Sequence, residues 1–450
     1  MKPYAQYQAS GVDWLGEVPG HWEVKRIKYL ITTIEQGWSP QCEGFPAQSE
    51  DEWAVLKVGC VNGGVFQPEE NKQLPTEFDP IPELGLSVGD LLISRANTRE
   101  LVGSAAVTLK NYPKLMLCDK LYRLRVDHSA YSPSFIAFFL GTTGARGQIE
   151  LAATGSSSSM LNIGQSTILH MQIAMPPLAE QQAIAAYLDT ETARLDTLVR
   201  EKEELVALLR EARGSRISER ISGDDLPGKP TGDPWAPHLP DGWEFKRLKH
   251  LAQVRSGLAK GKDAGDRQTV ELPYLRVANV QEGRLDLREI ATMPVELDAV
   301  ERFSLVAGDV LMNEGGDYDK VGRGAVWTGE ITPCLHQNHV FAVRPQQRDL
   351  SEWLAAITQT QYAKFYFMNN AKQSTNLASI SQTSVRELPV LLPPKAQRDA
   401  LLQGLSAELT AFDALITHTQ EEITLLKELR SATIADAVLG RVDVCTAKQK

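Results

Sequence analysis

The sequence predicts an α+β protein built twice over: two repeated mixed α/β domains separated by two long helices that form an antiparallel coiled coil. Three observations carry this. A tryptophan-rich motif recurs. The short strand-like runs behind it recur in the same order. Each half ends in a long stretch without proline, its apolar residues at heptad spacing.

Trp14 to Leu30 and Trp235 to Leu251 both read W-x4-P-x2-W-E-x-K-R-[IL]-K-x-L. Leu56-Lys-Val-Gly-Cys-Val61 matches Leu275-Arg-Val-Ala-Asn-Val280, and L-x-[VA]-G-D-x-L stands at Leu86 to Leu92 and again at Leu305 to Leu311. Val102-Gly103 matches Val321-Gly322, and Met175-Pro-Pro-Leu-Ala-Glu180 matches Leu392-Pro-Pro-Lys-Ala-Gln397. The register drifts by only a few residues, as small loop indels would cause.

Val/Leu/Ile-rich runs bounded by Gly, Asn, Asp and Pro read as strands. They are Ala54 to Val58, Asp90 to Ser94, Gly103 to Thr108 and Leu121 to Val126, then Tyr274 to Val277, Asp309 to Asn313, Gly324 to Trp327 and Val340 to Val343. Helix-like stretches follow at Ser134 to Leu140 and Leu350 to Tyr362, then polar loops at Ala153 to Asn162 and Ala371 to Ser379.

After each Pro-Pro the pattern turns helical. Ile184, Leu188, Leu195, Leu198, Leu205 and Leu209 form one seam; Leu402, Leu405, Leu409, Phe412, Ile416, Ile423 and Leu426 form the other. Their period is that of a coiled coil. At about 1.5 Å per residue, some forty residues reach roughly 60 Å. Gly223 to Pro234, rich in Gly, Asp and Pro, reads as a linker. The expected boundaries are 1–177 for the first domain, 178–222 for the central helix, 223–234 for the linker, 235–393 for the second domain, 394–440 for the C-terminal helix and 441–450 for a tail.

Composition is that of a globular protein, 42% hydrophobic and 23% charged. No apolar run of roughly 18 residues suggests a membrane span, and the N-terminal stretch lacks a signal-peptide core, so the expected location is cytoplasmic. A net charge of −10 and a pI near 5.5 count against a simple basic nucleic-acid binder. They leave room for a locally positive face. Cys42, Cys60, Cys118, Cys334 and Cys445 are scattered, with only a loose Cys334-Leu335-His336, and read as reduced thiols rather than zinc ligands or disulfides.

Nucleotide-loop and zinc-protease motifs are absent from the sequence, as is N-P-P-[YF]. Gly315-Gly316 and Gly322-x-Gly324 read as turn glycines. Gly89-Asp90 and Gly308-Asp309 read as tight turns entering strands, with Asp accepting backbone hydrogen bonds. Lys25, Arg26 and Lys28, with Lys246, Arg247 and Lys249, read either as phosphate contacts or as a solvated face beside a buried Trp and Leu.

The copies diverge after one matched strand. Ser94-Arg95-Ala-Asn97-Thr-Arg99 corresponds to Asn313-Glu-Gly-Gly-Asp-Tyr318-Asp-Lys320, with Arg323 close behind. These are side chains that hydrogen-bond base edges, Arg to guanine and Asn to adenine; they equally suit a variable surface loop. Ser156 and Ser157, with Gln373, Ser374 and Asn376, are polar enough to approach a phosphate backbone, or to form a plain flexible loop.

Together these features resemble the specificity subunit of type I DNA restriction–modification systems. The duplicated motifs and Met175-Pro-Pro-Leu-Ala-Glu-Gln181 opening a long helix carry the resemblance. The second copy departs from it with Lys395, Gln397 and Arg398. The resemblance implies two target recognition domains, each reading one half of a split site in double-stranded DNA. It implies helices that act as a spacer and bind two methyltransferase subunits, with restriction–motor subunits joining for cleavage. The chain would hold no catalytic residue, no metal and no cofactor; S-adenosylmethionine, ATP and Mg would sit on partner subunits. Two alternatives stay open: a methylation-only complex, and a tandem-domain scaffold with no DNA role.

Overall fold

The computed structural model describes residues 2–157, 160–259, 268–373 and 377–445, apart from the side chains of Ser156, Ser157 and Asp319. The chain divides into two compact units, Met1–Lys202 with Glu422–Lys450, and Glu203–Glu421.

The core of the first unit is a four-stranded antiparallel sheet in the order Ala105–Val107, Leu91–Ser94, Leu121–Val126, Ile31–Gln36. The second unit repeats it as Gly324–Val326, Val310–Asn313, Val340–Pro345, Ala252–Ser256. Even the register is kept: Leu124 faces Leu91 as Val343 faces Val310. A smaller mixed sheet pairs Ala54–Leu56 in parallel with Tyr112–Met116, as Thr269–Leu275 pairs with Leu335–His336. Two glycines hold this approach. A Cβ on Gly37 would run into the Leu117 carbonyl, and one on Gly257 into that of His336.

Two short helices close each unit. Pro133–Leu140 and Thr143–Ala152 are capped by Ser132 and Thr142, each accepting a backbone N–H two or three residues inside the helix. Ser351–Thr358 and Gln361–Asn370 are their counterparts, so the single helix expected at Leu350 to Tyr362 is two, broken where Thr360 caps the second. Periodicity alone hides such a break.

The tryptophan motif builds the seat of each long helix. Its strand Glu23–Arg26 pairs with Gln172–Met175, and Glu244–Arg247 pairs with Pro389–Leu392. Both partner strands run directly into Pro-Pro. The second Trp of each motif is buried, Trp22 edge-on to Phe135 and Trp243 edge-on to Trp353. Each indole N–H then reaches the first turn of the helix, Trp22 to Glu180 Oε1 at 3.2 Å and Trp243 to Gln397 Oε1 at 3.2 Å. Tyr4 O–H also donates to Glu180 at 2.6 Å, and His21 Nε2 lies 2.8 Å from its other oxygen.

The next residue makes the second tie. Buried Gln181 accepts from Ser132 N–H at 2.8 Å and donates to the Pro176 carbonyl at 2.8 Å. In the second copy buried Arg398 stands there and pairs with Asp349 at 2.6 Å. Lys395 joins the same carboxylate at 3.0 Å. The departure from the first copy's Pro-Pro-Leu-x-Glu-Gln therefore keeps the tie and changes its chemistry from amide to ion pair.

The long helices run over Leu178–Ser222 and Lys395–Val438. Each is followed by a left-handed glycine, Gly223 at φ +66° and Gly440 at φ +68°. Of the seam positions, Ile184, Leu188 and Leu195 are buried, Leu198 and Leu209 half-buried, and the seven positions of the second helix buried or half-buried. Leu205 is a correction: it is exposed, and Val206 is buried in its place. The buried positions run Leu188, Thr192, Leu195 and then Val206, with Leu198, Val199 and Leu209 half-buried, which leaves Leu205 one residue off.

The pairing is antiparallel. In the first unit Asp196 meets Arg430 and Lys202 meets Glu422; in the second Arg213 meets Asp413 and Arg216 meets Glu408. Asp196 and Asp413 stand the same distance beyond Pro176 and Pro393, as do Arg213 and Arg430. The two pairs are thus one pair repeated. Both have Nε–Oδ1 at 2.8 Å and Nη2–Oδ2 at 3.2 Å. Among the described residues no helix is long and apolar enough to cross a membrane.

Removing the exposed Asp349 carboxylate leaves the buried Arg398 guanidinium without its partner. Asp349→Asn is expected to destabilise the second unit by about 2 kcal/mol, and adding Arg398→Gln to recover most of it by restoring the first copy's amide. Urea midpoints of the two variants check this.

Candidate nucleic-acid interface

The structure brings together two of the segments singled out from sequence. Ala96–Asn97 pairs with Met160–Asn162, which pairs with Thr154–Ser157, so two paired strands of the serine-rich stretch and its continuation lie against the divergent segment. The second unit matches it with Gly315–Gly316, Ala378–Ile380 and Ala371–Gln373. Glycine at 315 and 316 is what lets that hairpin approach: a Cβ on Gly315 would press on the Ala378 carbonyl.

Not every residue there is available. Ser94 is fully buried and donates to the Leu101 carbonyl at 2.7 Å. Asn313 is buried too, its Nδ2 donating to the Val280 carbonyl at 3.0 Å. Both are corrections: they end a core strand, and their inward side chains cannot reach a base edge. Arg95 is half-buried, with one contact of 3.4 Å to the Asp119 carbonyl, and Arg99 is exposed. Asn97 donates to Asn62 Oδ1 at 3.3 Å, tying in a turn that the sequence did not single out. Tyr318 and Gln373 are exposed and Arg323 half-buried, while Lys320 pairs with Asp317 three residues back. Ser374 and Asn376 lie outside the described residues, as do the side chains of Ser156 and Ser157.

The basic clusters lie on a different sheet, the one that seats the long helix. Lys25 pairs with Glu23 at 2.7 Å, Arg247 with Asp233 at 2.7 Å and Lys249 with Glu387 at 2.6 Å. Lys246 pairs with Glu244 at 2.5 Å. Lys28 lies over the Tyr29 ring, and Arg26 is exposed. Most of this positive charge is neutralised locally, which weakens its pull on a distant phosphate.

The Gly-Asp pairs are the expected turns. Asp90 accepts from Ser87 N–H and Asp309 from Val306 N–H, each at 2.9 Å. Each also holds an arginine of the neighbouring strand, Arg125 at 2.9 Å and Arg344 at 2.7 Å. Glu35 and the buried Arg123 complete this network in the first unit, with Nε donating at 2.7 Å. In the second unit His336 is buried where the first has Leu117. Its Nδ1 lies 2.6 Å from the Val340 carbonyl, and its Nε2 has no partner among the described residues. Burial pushes its pKa down to about 4, against a partial rise from that hydrogen bond.

Residues 240–427 match the sequence model of the type I restriction modification DNA specificity domain. The EcoEI specificity subunit of Escherichia coli is 32% identical over 173 residues, 38% of this chain and 29% of that one, so the match spans less than a third of that relative. The EcoKI specificity subunit of E. coli strain K12 is 25% identical over 442 residues, 95% of this chain and 90% of that one. A solved chain from work on complex assembly and conformational transition of the type I R-M system superposes with a TM-score of 0.66 at 16% identity, covering 94% of this chain and 99% of that one, so the fold is shared. In fold, duplication and sequence the chain is similar to the type I restriction–modification specificity subunits.

The buried His336 gives this unit an acid sensitivity that Leu117 spares the other. Its folded pKa is near 4 against 6.5 unperturbed, so as pH falls from 6.5 the unfolded chain takes up a proton that the folded chain refuses. Stability is then complete above about pH 6.5 and lost toward pH 4, by about 2 kcal/mol between pH 7 and 5. His336→Leu is expected to flatten that part of the urea-midpoint profile.

Proposed function

We propose that this chain is the DNA sequence-recognition subunit of a type I restriction–modification complex. Residues 1–177 and 235–393 are target recognition domains, and each reads one half of a bipartite site in double-stranded DNA. The helices over 178–222 and 394–440 set the gap between half-sites and dock two methyltransferase subunits. The chain holds no catalytic group. S-adenosylmethionine chemistry belongs to the methyltransferase partners, and ATP- and Mg-dependent cleavage to restriction–motor subunits.

The observation that carries this reading is the repeated frame with unlike loops. One sheet and one helix seat are built twice in the same register, while the hairpin-backed segments at 95–99 and 314–320 share almost no residues. A constant frame with divergent hydrogen-bonding side chains is what two readers of different half-sites require. Arg95, Asn97 and Arg99 are the base-reading candidates of the first domain; Tyr318, Lys320, Arg323 and Gln373 are those of the second.

Co-expression with a cognate methyltransferase in a methylation-free host, followed by sequencing of modified bases, tests this. One new split motif, lost when the chain is omitted, is expected. A stable complex that neither modifies nor retains DNA selectively leaves only a scaffold. Inserting seven residues into either long helix is expected to change the gap and leave the modified bases the same; an unchanged gap would remove the spacer role.

A further inference from the structure

The two units share a sheet and differ in the charge beside it. In the first, Glu35, Glu83, Asp90, Arg123 and Arg125 gather at one edge of the frame. The equivalent positions in the second are Arg255, Arg302, Asp309, Ala342 and Arg344. Register fixes the equivalence: Arg123 faces Glu35 across the strands as Ala342 faces Arg255. Glu83 and Arg302 each stand three residues before the duplicated leucine, Leu86 or Leu305. Two carboxylates have become guanidiniums, and the guanidinium between them has become a methyl group.

The first set is self-neutralising. Arg123 is bound by Glu35 and by the carbonyls of Glu83 and Gly85, and Arg125 by Asp90. The second set is not. Asp309 is committed to Arg344, with both oxygens at 2.7 Å. Among the described residues half-buried Arg255 makes no ion pair and no side-chain hydrogen bond, and exposed Arg302 makes no ion pair. Arg255 and Arg344 sit diagonally on one face of their strand pair, since Arg344 faces Gln253 and Ala342 faces Arg255. Burial and then Arg344 disfavour the Arg255 charge, Asp309 partly offsets them, and Arg302 disfavours it further. The buried Nε2 of His336, also without a partner, belongs to the same neighbourhood.

We propose that Arg255 and Arg302, backed by Arg344, form an oxyanion site that binds a phosphate group in the second unit alone. Planar guanidiniums suit phosphate oxygens, and a group already stripped of part of its water with no partner gains most from one. On the DNA-recognition reading, on which this rests, the ligand is a backbone phosphate, and the contact positions the duplex without reading a base. A free phosphate ion is the other source of the same chemistry.

Two variants test it. Arg255→Gln removes the charge. Arg255→Glu with Ala342→Arg installs the first unit's own pair, and so keeps a fold that the single change endangers. DNA affinity of the assembled complex on its cognate site is measured against salt. Either variant is expected to bind several-fold more weakly, to make the slope of log affinity on log salt shallower by about one, and to leave the modified bases unchanged. Inorganic phosphate, titrated onto the full chain alone, is the second arm: a thermal midpoint that rises for the natural sequence and not for the variants assigns a free-phosphate site. If the natural complex binds DNA selectively and both variants match it in slope and phosphate response, the oxyanion site is overturned and DNA recognition stands. If the natural complex shows no selective binding, the functional reading fails and the phosphate arm alone decides the site.

Discussion

Everything else hangs on one hydrogen bond made twice, from a buried tryptophan indole to the first turn of a long helix. Trp22 and Trp243 sit in their cores against Phe135 and Trp353, and each spends its single polar atom on Glu180 or Gln397. An indole buried without a partner costs stability, so the bond satisfies the core and orients the helix at once. The neighbouring tie through Gln181 or Arg398 adds a second fixed point. Two points set the direction of a rod, and a frame that carries a helix some forty residues long needs that direction fixed at its root.

The frame was largely legible in the sequence because it was written twice. A repeated Trp, a repeated Gly-Asp turn and a repeated Pro-Pro entry each constrain backbone, and backbone constraints leave residue-type signatures. The antiparallel helix pair was legible for a similar reason, a heptad period broken by no proline. What failed was local. Leu205 looked like a seam residue because a leucine at nearly the right spacing is indistinguishable from one at the right spacing, until a partner helix selects Val206.

The recognition surface was less legible. Ser94 and Asn313 have the chemistry of base readers, yet the strands they end turn them inward. The serine-rich stretch reads as a loop because small polar residues carry little strand signal, and only its pairing with Met160–Asn162 makes Thr154–Ser157 a strand. Asn62 went unremarked because its role depends on a contact across the fold. The charge reversal beside the second sheet could have been seen by comparing Glu35 with Arg255, but only once the strand register was known.

The ion pairs along the helices have a meaning of their own. Asp196 on the first helix takes Arg430 from the second, and Asp413 on the second takes Arg213 from the first. Each helix therefore carries both halves of the bond, spaced alike from its own start. Such a helix, turned end over end, is complementary to itself. A charge changed on either helix leaves its partner on the other unpaired, so at these positions the two helices constrain each other as the loops do not.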